Sequence, residues 1–489
     1  MYIKKSQRKE KNTIPTNLTL MYYSDIHCHP LLQAFGQSRA IKQPNKKADL
    51  WYDNPPKFMA KIWEKLFGVS AYSQCNLNTF GNGNGRIIGI SVHSPEKSFF
   101  QNKLGDTNFN EDVSSLITMY GKDRIEELKS SNYNYFTDCI EQLDFLWKYQ
   151  GSSNGKKQFF IATNANELQT YLQNPNAIIG IINMEGGHMF DCGNPPIKRL
   201  NIEQSQKVLD HLAVLKLNAK YRPIYMTVAH HYYNQLAGHC RSLPGTVNFL
   251  ANQGIGINSG ISELGYKVIR KLLSKEDGER IIPDIKHFSV LARKQYYDLL
   301  DSEYAHEHVP IIFSHGGVTG LNSFTDPGSY SADSPFNTWD INLYDDEIIR
   351  ISRSKGIMGM NIDQRVMGST HALYEVKISI KYDKKNIAFY WSKLIFNNIK
   401  HIAITLDKAG LNAWDCICMG TDYDGVINPV DCFHTAHDMP KFAKELEKHI
   451  IQFNDNYTFL QSSNMINPSK AVSMIMHENL ESFLMRNMV

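Results

Sequence analysis

The chain has no run of about 18 apolar residues, its longest candidates being broken by charges or Asn, so no membrane-spanning helix is expected. No apolar stretch and no small-residue cleavage site follow the basic segment Met1 to Asn12, so no secretory leader is expected either. The eight Cys are scattered, with one C-x-C pair at Cys416 and Cys418 and no paired C-x-x-C sets. That pattern fits reduced thiols in a cytoplasm better than a disulfide framework. Charge of one sign is also lacking: 52 Lys and Arg face 49 Asp and Glu, and a net +3 is too weak to argue for nucleic acid or a membrane as partner. No internal repeat stands out. The G-N-G-N-G stretch from Gly81 to Gly85 lacks the strand-then-helix context and the Lys-Ser/Thr of a phosphate-binding loop, and it is read as a flexible loop.

What is present is a sizeable core, since 42% of residues are hydrophobic and only 21% charged. At 489 residues the chain could hold two average domains, but α/β barrels with insertions reach this size as one. Residues 1–489 are therefore read as a single domain, with 1–17 a flexible tail and 34–85 an insertion. Eight short apolar runs read as buried strands: Leu18 to Tyr23, Ile87 to Val92, Ala177 to Met184, Pro223 to Val228, Ile281 to Ile285, Pro310 to Phe313, Gly356 to Ile362 and Cys416 to Met419. Helical periodicity lies between them, as in Phe136 to Trp147, Glu203 to Leu217, Glu263 to Leu273 and Asp345 to Ser352. Alternation of this kind predicts an α/β fold with parallel strands, a (β/α)8 TIM barrel or, on the pattern alone, a doubly wound sheet. The long insertions at 34–85, 94–120, 234–258, 323–339 and 365–384 fall after strands, where barrel enzymes build their pockets.

Polar residues punctuate the ends of these runs. His27 and His29, two apart on an extended chain, point to one face and can grip one cation. Glu185 ends the third run and is followed by two glycines, a place from which a carboxylate could bridge two metals. His230, His287 and His315 follow the fourth, fifth and sixth runs, and Asp422 after the eighth offers a proton acceptor. In a barrel these ends converge on one mouth. Any one of them alone is more often a cap or a turn residue, but six such groups at strand ends point jointly to a metal centre. His231, His239, His401, His434 and His437 are read as surface or supporting residues.

These residues resemble, in order along the chain, the membrane (renal) dipeptidase family of the amidohydrolase superfamily. Glu185 to His188 matches the family's Glu-Gly-Gly-His, and Met226 to His230 is similar to its Met-Thr-Leu-Thr-His. Asp284 to His287 looks like its Asp-Leu-Ser-His, and Phe313 to His315 is identical to its Phe-Ser-His. Thr421 to Gly425 resembles its Gly-Asp-Phe-Asp-Gly, and Glu478 to Leu480 its C-terminal Gly-Asn helix start. The resemblance implies two divalent ions, zinc in this family. Glu185 would bridge them, with His27 and His29 on one ion and His287 and His315 on the other. Asp422 would be the base, His230 would steady the oxyanion, and a metal-bridging hydroxide would attack an amide or peptide bond of a small substrate such as a dipeptide.

Two positions depart from the family pattern. The family's first strand carries His-x-Asp, whereas here His29 replaces the Asp, leaving the centre about one unit more positive. The family's carboxylate-binding Arg precedes a stretch similar to Asn342 to Asp346, and its place is taken by Ile341. Hydrolysis of a lactone, ester or phosphoester by the same fold is thus one alternative. A noncatalytic metal-binding barrel is another, against which Asp422 and Glu185 argue, since a structural site needs only a closed four-ligand shell. A homodimer is the oligomeric expectation.

Overall fold

The computed structural model describes residues 21–488 except 41–44, 56–69, 71, 102, 104, 106, 194–197, 244–251 and 330. The expected tail at 1–17, and residues 56–69 of the expected insertion, lie outside the described residues. Among the described residues nine parallel strands run β1 Tyr23–Cys28, β2 Gly85–Val92, β3 Gln158–Ile161, β4 Ala177–Glu185, β5 Tyr225–Thr227, β6 Ile282–Asp284, β7 Ile312–Gly316, β8 Ile357–Met360 and β9 Ile417–Met419. Their order is β2-β1-β9-β8-β7-β6-β5-β4, and β2 also pairs with β4, so eight strands close into a barrel. This is the (β/α)8 fold expected from the alternation of strands and helices. Helices Tyr135–Trp147, Ile202–Leu217, Glu263–Leu273, Val290–Glu303, Asp345–Arg353 and Ile387–Lys408 supply outer-ring crossovers between parallel neighbours.

Inside the barrel, Ile26, Ile87, Ile179, Ile181, Tyr225, Ile282, Ile312, Ile357 and Cys418 fill the core. Leu480, Phe483 and Leu484 of helix Asn479–Asn487 pack onto this layer and close the end opposite the strand C-termini. Gly89 and Gly359 lie where strands approach closely. A Cβ on either would stand 1.8 Å from a neighbouring carbonyl oxygen, that of Ile26 or Ser314.

Three expectations need correction. The described part of the first apolar run contributes only its last residue to the strand: β1 starts at Tyr23 and carries Asp25 and His27 within it, while Leu18 to Leu20 lie outside the described residues. A ninth strand, β3, pairs with the first half of β4 through Gln158↔Ala177 to Ile161↔Gly180. Beyond it β5 pairs with the end of β4 at Met184 and Glu185. The stretch from Gly81 to Gly85 is no flexible loop. It ends helix Leu77–Asn82 and starts β2, and a Cβ on Gly83 would lie 2.0 Å from the Ala436 carbonyl oxygen.

Candidate metal centre

The barrel mouth collects seven polar side chains from the ends of six strands. His27 sits in β1, with His29 just after it. Glu185 is the last residue of β4, His230 and His287 follow β5 and β6, His315 lies in β7 and Asp422 follows β9. Six of these seven side chains are almost fully buried. Asp422 is the exception at 15% exposed, against 4% for Glu185, so it is the carboxylate that a substrate entering the mouth meets.

Glu185 is the hub. Its Oε1 lies 3.3 Å from His27 Nε2, 3.6 Å from His287 Nε2 and 3.7 Å from His315 Nε2. Its Oε2 lies 3.2 Å from His29 Nε2 and 3.6 Å from His230 Nε2. Two three-residue groups able to hold an ion therefore share this carboxylate: His27, His29 and Glu185, and Glu185, His287 and His315. Burial pushes the Glu185 carboxyl up, but the His230 and His27 imidazoles outweigh it and hold the group well below the usual range. Burial pulls His287 down to about 3, and burial beside His27 holds His315 well below its ordinary value. Both are therefore neutral imidazoles, the form that binds metals.

The supporting contacts orient these rings. Tyr225 donates its hydroxyl proton to the Ile26 carbonyl, 2.7 Å, so at 3.1 Å it accepts from His27 Nδ1 and leaves Nε2 facing Glu185. Asp25 accepts from Thr421 Oγ1 at 2.6 Å and from the Thr421 and His27 amides, tying β1 to the strand end that carries Asp422. Asp284 ties β5, β6 and β7 in the same way, accepting from Thr227 Oγ1 at 2.8 Å and from the Ser314 and Lys286 amides. Asp422 and His287 both adopt left-handed backbone, φ +62° and +65°, a conformation costing roughly 1–3 kcal/mol that is kept where surrounding structure enforces it. The bend at each strand end turns the side chain into the mouth.

All seven expected site residues thus meet. His231 flanks them, with its Nδ1 2.6 Å from Ser242 Oγ. His401 stands apart, paired with Asp345 at 2.6 Å. Three groups were missed by the sequence reading. His93 follows β2, and its Nδ1 lies 2.9 Å from the Glu185 carbonyl. Glu96 holds His230 Nδ1 at 2.7 Å. Lys286 is buried beside His287, its ammonium 5.4 Å from the Phe313 ring centre, and burial pulls it down to about 8. His93 ends an apolar run as the other site histidines do. The same signal was there and was not read.

A family model for membrane dipeptidases, peptidase family M19, matches residues 126–467. The chain belongs to the membrane dipeptidase family. The matched stretch holds Glu185, His230, His287, His315 and Asp422 but not β1 with His27 and His29. Three solved structures share its fold. Dipeptidase AC, a metallopeptidase of family M19, is 14% identical over 96% of this chain and 98% of its own, with a TM-score of 0.54. A Rhodobacter sphaeroides metallopeptidase, liganded with a phosphinate mimic of the dipeptide L-Ala-D-Ala, is 13% identical over 96% and 99%, at 0.55. The probable dipeptidase PvdM of Pseudomonas aeruginosa is 13% identical over 96% and 95%, at 0.50. No curated protein matches the chain. Among the described residues of this family member, no helix is long and apolar enough to cross a membrane.

Proposed function

We propose that the chain is a metal-dependent dipeptidase whose centre takes two divalent cations, zinc by its ligand set. The observation that carries this reading is Glu185 shared between two half-sites, each completed by two imidazoles. When bound, the cations would polarise the scissile carbonyl and acidify the attacking water. Asp422 takes the proton from that water and passes it to the leaving nitrogen, since its Oδ1 borders the centre 3.3 Å from His29 Nε2 and it alone is partly open. His230, whose Nδ1 is held by Glu96, keeps its Nε2 turned to the centre and donates to the carbonyl oxygen as negative charge develops there. Burial lowers the His230 pKa, but Glu96 and Glu185 more than reverse this, so the ring keeps the proton it needs to donate.

Two results test the reading. Stripping the protein with a chelator is expected to lower dipeptide hydrolysis by more than about a hundredfold, the several kcal/mol that Lewis-acid stabilisation contributes, and added zinc should restore it. Undiminished hydrolysis by the stripped protein would sink the proposal.

The second result concerns the substrate's carboxylate. Ile341 is buried at 4% exposure and offers no charge. Arg365, a possible substitute, is engaged by Asp363 at 2.9 Å, and Arg241 is exposed. A dipeptide and its C-terminal amide are therefore expected to differ by less than about tenfold in kcat/KM, below the worth of a well-formed Arg–carboxylate fork. In Ile341→Arg the free acid should gain. A strong preference for the acid in the unmodified enzyme would refute this, and its loss in Lys286→Met would place the anion contact on the buried ammonium.

A further inference from the structure

Beside the proposed two-ion centre lies a second knot of ligating atoms that the reading above uses only in part. His93, Glu96 and His230 can each bring one ligand atom to a common point, and all three are buried, at 7%, 5% and 4% exposure. His93 Nδ1 lies 2.9 Å from the Glu185 carbonyl oxygen, which can only accept, so the ring proton sits on Nδ1 and Nε2 carries a bare lone pair. That lone pair faces Glu96 Oε2 at 4.0 Å. Glu96 Oε2 is itself buried and has no hydrogen-bond partner. Two acceptors therefore confront each other with no donor between them, an arrangement that costs about 1–3 kcal/mol for each buried group left unsatisfied. The Tyr232 hydroxyl is also buried without a hydrogen-bond partner, and Glu96 is the carboxylate that acts on it.

We propose that His93, Glu96 and His230 form a third site for a divalent cation, of the zinc type, with water in the remaining position. Two imidazole nitrogens and one carboxylate oxygen are a zinc ligand set, and a tetrahedral zinc with bonds of about 2.0–2.2 Å holds its ligands about 3.3–3.6 Å apart, so the 4.0 Å between His93 Nε2 and Glu96 Oε2 has to close by only about half an ångström. The proton between Glu96 Oε1 and His230 Nδ1 leaves to solvent as the ion binds, and His230 keeps its proton on Nε2. The ion thus fixes the tautomer in which Nε2–H points at the centre, 3.6 Å from Glu185 Oε2, and strengthens it as a donor. This site adds to the two-ion centre and stands whether or not that centre cleaves dipeptides.

The test is a metal count on the full-length protein loaded with zinc and freed of excess by gel filtration. Wild type is expected to carry one zinc equivalent more than His93→Ala and one more than Glu96→Gln, with the circular dichroism of all three alike. Equal zinc in wild type and either variant overturns the proposal, because the three groups would then be a hydrogen-bonded cluster only. Loss of every ion in both variants overturns it too. Should a variant fail to fold, wild type decides: more than two equivalents support the site, and two or fewer refute it.

Discussion

Asp422→Asn is expected to keep its metals and its fold while kcat falls by about a hundredfold to ten-thousandfold, the usual cost of losing a general base. The amide is nearly isosteric with the carboxylate, so the left-handed turn at Asp422, φ +62°, and the Asp422 amide bond to the His27 carbonyl at 2.9 Å should persist. What changes is proton affinity. Oδ1 lies 3.3 Å from His29 Nε2 and 4.0 Å from His27 Nε2, at the rim of the Glu185 hub, and an amide there cannot accept and return a proton. Neither neighbour can replace it. Glu185 faces five imidazoles, and Asp424 is occupied by the Gln74 and Cys75 amides at 2.7 and 3.0 Å. Steady-state kinetics beside elemental analysis checks the split. A variant turning over at the wild-type rate with its metals bound would leave Asp422 a structural residue.

The centre was legible in the sequence because a parallel barrel buries its strands on both faces. Each strand then reads as a mainly apolar run, and the polar residues within three positions of a run's end fall at the mouth. Glu185, His230, His287, His315 and Asp422 all obey that rule. The first strand did not. Its run ends where β1 begins, because Asp25 and His27 lie within the barrel, where Thr421 and Tyr225 satisfy them. Polar residues inside a strand look like a strand's end when only hydrophobicity is read. β3 escaped for a different reason: four residues with alternating burial, supported mainly by pairing to β4, carry too little pattern of their own. The glycines from Gly81 to Gly85 looked like freedom and serve close packing instead, which composition cannot distinguish. Glu96 was illegible in principle, since its role depends on His230, 134 positions away.

Arg293→Met is expected to destabilise the protein by about 3–5 kcal/mol, the cost of stranding one charge of a buried pair. Arg293 is 1% exposed in helix Val290–Glu303, and its Nε lies 2.7 Å from Glu347 Oε1 in helix Asp345–Arg353. Its Nη1 donates to the Asp340 carbonyl at 2.7 Å, so one guanidinium joins two crossover helices and pins the segment leading into Ile341. Methionine fills much of the volume but leaves the Glu347 carboxylate with only the Tyr297 hydroxyl, 2.9 Å, and the Tyr344 amide, 3.1 Å. If the loss comes from the stranded carboxylate, Arg293→Met with Glu347→Leu should recover most of it, because well-packed apolar groups replace buried ion pairs at little or no net cost. Urea unfolding of wild type, the single variant and the double variant separates the two cases. A single variant within about 1 kcal/mol of wild type would show that the pair contributes nothing there. A double variant no better than the single would assign the loss to the Asp340 contact, and with it the anchoring of the mouth loop.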